Sequence, residues 1–314
     1  MRILFVTSNR IGDAVLSTGL IGHLLDRWPE ARFTVACGPA AAGLFAAMPR
    51  LDRLIELPKQ RMAGHWVGLW LATAGHIWDL VVDLRGSALA WLLLARERRV
   101  WRPGGEGHRV VELGRLLDLD PPPAPRIWAG EEHRQAAAQL MPEGRWLAIG
   151  PTANWGGKQW PADRFAELAQ RLTAPGAPLA GARIAVFGGP GERQAIGRLL
   201  DSLPVLDLIG QLDLATVGAC LARAALYVGN DSGLMHLAAA AGTPTLGLFG
   251  PSREAHYAPW GPRAESVRTD LGYDEILATP DYDYRSHKSH MTSLSVDKVE
   301  RAAVALLERL AVAA

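Results

Sequence analysis

Asn230, Asp231, Ser232 and Gly233 stand between two apolar runs, 225–228 and 245–249, and His236 follows one helical turn later. A strand and helix buried in a core have no need of such a cluster. Its residue types and spacing suit a ligand that carries phosphates. Glycines at 229 and 233 let the backbone turn tightly and come close to a bound group. The first turn of the following helix offers unpaired N–H groups and the positive end of its dipole, which together cradle a phosphate. His236 lies close enough to donate to a phosphate oxygen. Asp231, an acid beside a diphosphate, either faces a sugar hydroxyl or caps the helix. The plainer alternative is that Asp231 or Ser232 is an ordinary helix cap and His236 a half-buried histidine. For each residue alone that alternative is the simpler; the cluster as a whole points to a site.

The elements that must position this cluster are strands alternating with helices, in two successive sets. In the first half, strand patterns fall at 3–7, 32–37, 53–57, 80–84 and 99–102, and residues 14–28 have helical spacing (Val15, Leu16, Leu20, Leu24) that stops at Pro29. Three consecutive prolines at 121–123 exclude a helix interior. The domain boundary is therefore expected in or just after residues 118–130, giving domains 1–135 and 136–314. The second half repeats the pattern, with strands at 146–150, 183–188, 205–209, 226–228 and 245–249, a helix opened by Pro161, and a helix 234–241 closed by Gly242 and stopped by Pro244. Such alternation predicts parallel sheets in two Rossmann-like, doubly wound α/β domains, with ligands expected in a cleft between the carboxyl ends of their strands. A last helix at about 296–310 is expected to cross back to the first domain. Residues 270–293 are polar and irregular, with no predicted element.

Composition restricts the partners. The 314 residues are 49% hydrophobic and 21% charged with a formal net charge of +1, as expected of a soluble globular protein without polyelectrolyte attraction to nucleic acid. Any preference for anions must be local. Cys37 and Cys220 have no framework to staple and read as buried thiols in a reducing compartment. Residues 1–7 read as a first strand, too short for a signal sequence, and no run approaches the ~18 apolar residues of a membrane span.

Five fragments, in order, resemble the ADP-heptose:lipopolysaccharide heptosyltransferase family, inverting glycosyltransferases of GT-B architecture: "RILFVTSNRIGDAVLSTGLIGHLLDRWPEA", "WDLVVDLRGS", "GPTANWGGKQWPADRFAELAQRL", "VFGGPGE" and "NDSGLMHLAAAAGTPTLGLFGPS". The resemblance spans essentially the whole chain. It implies that Asp13, after the first strand's glycine, is the general base. Lys158, before a tryptophan–proline pair, would contact the donor diphosphate, Glu192 would lie near the ribose, and Asp231, Ser232, Gly233 and His236 would bind the nucleotide sugar. Arg10 matches a position that is often basic or polar and is counted, with Arg85 and Arg109, among the acceptor-binding candidates. Many members carry cysteines near the segment where this chain has His287 and His290. A metal reading of these two histidines lacks the Cys or acid pair to complete a site, so no metal is expected and both read as solvated loop residues.

The chemistry agrees with those residues. Transfer from a nucleotide-diphosphate sugar needs a base for the acceptor hydroxyl and cations or dipoles for the departing diphosphate. Asp13 supplies the first; Lys158 and the helix after Gly233 supply the second. One base and no covalent nucleophile suits single-displacement inversion, by analogy with hydrolysis. The plain alternatives are a helix N-cap for Asp13 and a solvated loop lysine for Lys158. No cofactor is needed, the ADP-sugar being a co-substrate. The expected acceptor is an anionic, lipid-linked glycan of the lipopolysaccharide core. Of the basic stretch Arg85, Arg96, Arg98, Arg99, Arg102, His108, Arg109 and Arg115, Arg85 and Arg109 are the candidates to grip its carboxylates or phosphates. The enzyme is expected in the cytoplasm, with peripheral contact to the inner membrane through tryptophans such as Trp66, Trp70 and Trp91, although buried tryptophan is commoner. Two other readings stay open here: a nucleotide-sugar epimerase of the same fold, and a non-catalytic nucleotide-sugar binder.

Overall fold

The computed structural model describes every residue except Pro103, Gly105, Asp281, Ala313 and Ala314. The chain divides into two compact units, Met1–Gly130 and Glu131–Ala314. Each is a parallel sheet with helices, and no helix among the described residues is long and apolar enough to cross a membrane.

The first unit runs β1 (Arg2–Val6), α1 (Ile11–Arg27), β2 (Arg32–Cys37), β3 (Leu51–Glu56), α2 (Gly64–Thr73), β4 (Trp78–Asp83), β5 (Ala95–Val100) and α3 (Arg109–Arg115). Its sheet order is β3-β2-β1-β4-β5, all parallel. β1 is buried from Ile3 to Val6 because both faces are covered, which explains its unbroken apolar run. α1 buries Val15, Leu16, Leu20 and Leu24 and ends with Trp28 N–H donating to the Leu24 carbonyl just before Pro29. It begins at Ile11, so Asp13 lies inside its first turn. The proline-rich connector packs on this helix: Arg126 N–H donates to Thr18 Oγ1 at 2.9 Å, and a Cβ on Gly19 would overlap the Pro123 carbonyl.

The second unit runs α4 (Glu131–Leu140), β6 (Trp146–Gly150), α5 (Ala162–Thr173), β7 (Arg183–Val186), α6 (Gly197–Ser202), β8 (Val205–Asp207), α7 (Leu214–Leu221), β9 (Leu226–Asn230), α8 (Gly233–Ala240), β10 (Thr245–Phe249), α9 (Glu254–Tyr257), β11 (Ala264–Arg268), α10 (Tyr273–Leu277) and α11 (Val296–Val312). The sheet order is β11-β10-β9-β6-β7-β8, again parallel. β6, β9 and β10 are buried throughout. The division falls before α4, which packs on α7, whereas a cut at 135 would split that helix. Within the second unit α11 packs on α5, β10 and β11. Its apolar stripe of Val299, Ala303 and Leu306 is buried in the second unit's core.

Candidate functional site

In a doubly wound sheet, loops diverge at the point where the strand order reverses, and ligands bind beyond the carboxyl ends of the strands there. In the second unit that point lies between β6 and β9, which pair directly with Gly150 opposite Gly229. The loop after β6 carries Lys158, and the turn after β9 carries Asp231. Their side chains meet: Lys158 Nζ lies 2.6 Å from Asp231 Oδ2, the lysine 25% and the aspartate 8% exposed. Lys158 is therefore held by its partner, and its ammonium keeps further N–H donors beyond that bond. Asp231 is committed to this pair and does not cap α8. Ser232 occupies the N-cap position in extended conformation and makes no side-chain cap hydrogen bond either. The first turn of α8 follows from Gly233, with His236 buried on it and its ring 6.4 Å from that of Tyr257.

The neighbouring loops are bound to this pair's supports. Glu192, after β7, accepts from Thr152 Oγ1 and from Gly189 N–H, both at 2.6 Å, and so joins the loops of β7 and β6. Asn230, fully buried, accepts from Trp160 N–H at 3.0 Å and donates to the Pro151 carbonyl at 2.7 Å, pinning both ends of the Lys158 loop to β9. The Tyr227 hydroxyl fills the space that a Cβ on Gly150 or Gly229 would occupy, which accounts for glycine at both strand ends. Burial pushes that phenol above its ordinary pKa.

A segment near the C-terminus completes the clamp. Trp155 Nε1 donates to the Ser286 carbonyl at 2.8 Å, Ser289 Oγ to the Gln159 carbonyl at 2.5 Å, and His290 N–H to the Gly157 carbonyl at 3.0 Å. The His290 ring lies 5.7 Å from Trp155 and 5.2 Å from Tyr282. His290 is thus packed against the Lys158 loop and not a solvated loop residue; His287 is exposed. Among the described residues no group of three or more His, Cys, Asp or Glu could hold a metal ion.

The first unit repeats the arrangement at its own reversal point, between β1 and β4. A pocket there is lined by Thr7, Ser8, Asp13, Arg85, Trp101 and Arg109, with Leu84 and Leu113. Asp13 sits in the first turn of α1 while Arg10 holds the N-cap position, so Asp13 is not the cap. Its carboxylate has no hydrogen-bond partner among the described residues. Arg85 is presented by Asp83, whose buried carboxylate accepts from Arg85 N–H at 2.8 Å and from Ser87 N–H at 2.9 Å. Arg85 Nη1 donates to Asn9 Oδ1 at 2.8 Å. Arg109 stacks 4.2 Å from the Trp101 ring and pairs with Glu112 at 3.1 Å. Arg10 is exposed and lies outside the residues lining this pocket. The rest of the basic stretch is largely occupied elsewhere: Arg96 with Asp79, Arg98 with three backbone carbonyls, Arg99 with Glu97 and Asp118.

Thr152 and Asp83 carry no role in the sequence reading, and Asn230 enters it only as a member of the cluster. Each lies in a quoted motif, but their roles depend on partners brought in by the fold. Asn230→Ala would leave two buried backbone groups unpaired at ~1–3 kcal/mol each. Its unfolding free energy should fall by about 2–6 kcal/mol, read from denaturant midpoints. An unchanged midpoint for Asn230→Ala would contradict this role.

Two parallel α/β units with a lysine–carboxylate pair beside a helix N-terminus define a two-domain glycosyltransferase fold. A glycosyltransferase family 9 structure from Veillonella parvula superposes with TM-score 0.81 at 21% identity, covering 98% of this chain and 97% of that one. Escherichia coli heptosyltransferase WaaC with ADP gives 0.73 at 18% identity, covering 98% and 100%. The fold alone does not select the reaction, since a Listeria monocytogenes structure described as a putative UDP-N-acetylglucosamine 2-epimerase also superposes, at 0.51. The sequence selects it. Residues 85–280 match glycosyltransferase family 9 (heptosyltransferase), and the chain belongs to that family. Among curated relatives, lipopolysaccharide heptosyltransferase 2 of Salmonella typhimurium is 24% identical, covering 88% of this chain and 90% of the relative. Lipopolysaccharide heptosyltransferase 1 of Pseudomonas aeruginosa is 27% identical, covering 83% and 82%. The protein is a glycosyltransferase.

Proposed function

We propose that the protein transfers a heptose, or a closely similar sugar, from an ADP-sugar to the core of lipopolysaccharide or a related anionic glycan, with inversion at the anomeric carbon. The observation that carries the donor assignment is the Lys158–Asp231 pair at the β6/β9 reversal point, next to the first turn of α8. Lys158 and the α8 amides stabilise the departing diphosphate, His236 donates to it, and Glu192 stands with the ribose. In the first unit Asp13 accepts the proton of the acceptor hydroxyl as the new bond forms, and the oxygen attacks the anomeric carbon from the face opposite the diphosphate. Arg85 and Arg109 hold acceptor carboxylates or phosphates. Relatives named as lipopolysaccharide heptosyltransferases support this choice of donor and acceptor. The cytoplasm is the proposed compartment. The free, buried thiols agree with it: burial pushes Cys37 up to about 12 and Cys220 up to about 11.

The test supplies ADP-heptose and a heptose-free core acceptor and follows ADP release together with the acceptor's mass. One heptosyl residue gained per ADP released is the expected result. ADP release without acceptor gain, or isomerised donor, overturns the reading. Arg85→Ala should raise the acceptor KM about tenfold or more, the scale of one charge-assisted contact, with donor affinity nearly unchanged. An equal loss of donor affinity would refute the assignment of the two ligands to different units.

A further inference from the structure

The first unit carries a cavity of about 50 Å³ that shares no residue with the Asp13 pocket. Its lining includes Arg2, Arg32, Thr34, Asp52, Arg53 and the buried Trp78. Strand register accounts for the cluster. Arg2 of β1 lies directly opposite Arg32 of β2, and Thr34, two residues on, shares that face. Like charges directly opposite each other on neighbouring strands are destabilising. β3 adds a third cation. Leu51 is opposite Phe33, but the register shifts at the next residue, so that Arg53 stands opposite Thr34. In unbroken register Asp52 would take that place and temper the two arginines. The shift re-aims the strand and puts a cation there instead.

The fold leaves these groups largely unused. Among the described residues none of the three guanidiniums forms an ion pair with a carboxylate, Asp52 included. Arg53 Nη1 donates to the Ala72 carbonyl in the last turn of α2, at 3.2 Å, and the side chains of Arg2 and Arg32 take no hydrogen-bond partner among the described residues. Asp79, which flanks Arg2, already accepts from Arg2 N–H at 2.7 Å and pairs with Arg96 at 3.2 Å, and it does not line the cavity. Thr34 is 5% exposed, and its hydroxyl is likewise without a partner among the described residues. Three guanidiniums against one carboxylate, with a free hydroxyl on the same face, suit an oxyanion, whose oxygens guanidinium forks grip bidentately. The size of the cavity restricts which one. It has room for about three to five waters, enough for one phosphoryl group and too little for a nucleotide.

We propose that this cavity binds a phosphoryl dianion, as inorganic phosphate or as the head of a small phosphomonoester, and that the bound anion ties β1, β2 and β3 together. Binding of potassium phosphate and of glycerol 3-phosphate to the full chain is followed by calorimetry, with potassium chloride at matched ionic strength as the control. Wild type should bind at least one of the two and give no response to chloride. Phosphate alone identifies the free ion as the ligand, and the ester alone a larger molecule carrying the group. Arg32→Gln should weaken the binding about tenfold, the scale of one charge-assisted contact. Thr34→Val keeps every charge and should weaken it about as much, which a diffuse positive field would not do. If Thr34→Val fails to fold, Arg2→Gln takes its place. Lys158→Ala, at the donor site, should leave this binding intact. Without phosphate, Arg32→Gln should melt no lower than wild type, because it removes the repulsion of Arg2; with saturating phosphate, wild type should melt higher. No phosphate or ester binding by wild type, an equal response to chloride, or equal affinity in wild type and either cavity variant overturns the proposal. So does binding lost in Lys158→Ala and kept in Arg32→Gln. A lower melting temperature of Arg32→Gln in the absence of phosphate would assign the cluster to the fold itself and overturn it too.

Discussion

Asp13→Asn should fold with a melting temperature only slightly below that of wild type, bind the donor normally and lose about 10²–10⁴-fold in kcat, the usual scale of general base catalysis. The structure makes this substitution selective. Asp13 is in the first turn of α1 but not its cap, and its carboxylate has no hydrogen-bond partner among the described residues. Asparagine therefore removes little beyond a favourable charge near the helix start, worth ~0.3–1 kcal/mol. A role confined to that charge would leave kcat almost untouched and shift only stability. Saturating donor and acceptor are needed, so that kcat and not binding is read. Near-wild-type kcat in a folded Asp13→Asn protein would end the base assignment.

Lys158→Ala should weaken ADP binding roughly ten- to a hundredfold, from the loss of a charge-assisted contact alone. The geometry adds a second loss. Asp231 is only 8% exposed and would stand uncompensated beside an incoming diphosphate. The double variant Lys158→Ala with Asp231→Asn should therefore bind ADP better than Lys158→Ala alone, although worse than wild type. Calorimetry on the set separates lysine as a phosphate ligand from lysine as a mere partner of Asp231. Equal ADP affinity in wild type and Lys158→Ala, with equal turnover, would show that the diphosphate is held elsewhere.

Buried strands were the most legible part of the fold. β6 and β10 lie where their apolar runs predict, since a strand covered on both faces must be apolar throughout. Edge strands were legible poorly. β5 begins at Ala95 instead of 99, and β11 carries no apolar run; ARERRV and AESVR each pair with one neighbour only and keep side chains in water. The first helix starts at Ile11, before the glycine that reads as a turn. Lys158 and Asp231 both stand out in their motifs as candidate site residues. That they touch does not show there, because 73 positions separate them and only the pairing of β6 with β9 brings them together. The same holds for Asn230, whose partners lie 70 and 79 positions away. Local pattern reports what a residue can do; the partner is a property of strand order. Arg109 shows the converse, a candidate ligand that the fold also engages with Glu112 and Trp101.

The clamp on the Lys158 loop has a consequence for shortened forms of the chain. Trp155, Gly157 and Gln159 are tied to Ser286, His290 and Ser289, and Trp160 Nε1 donates to the Leu294 carbonyl at 2.8 Å. The Lys158 loop is therefore held from two sides, by Asn230 of β9 and by residues 286–294. A chain cut before residue 286 keeps every strand of both sheets but lacks the hydrogen bonds to residues 286–294, so its lysine loop is expected to loosen. Weaker ADP retention by such a shortened chain is the expected result.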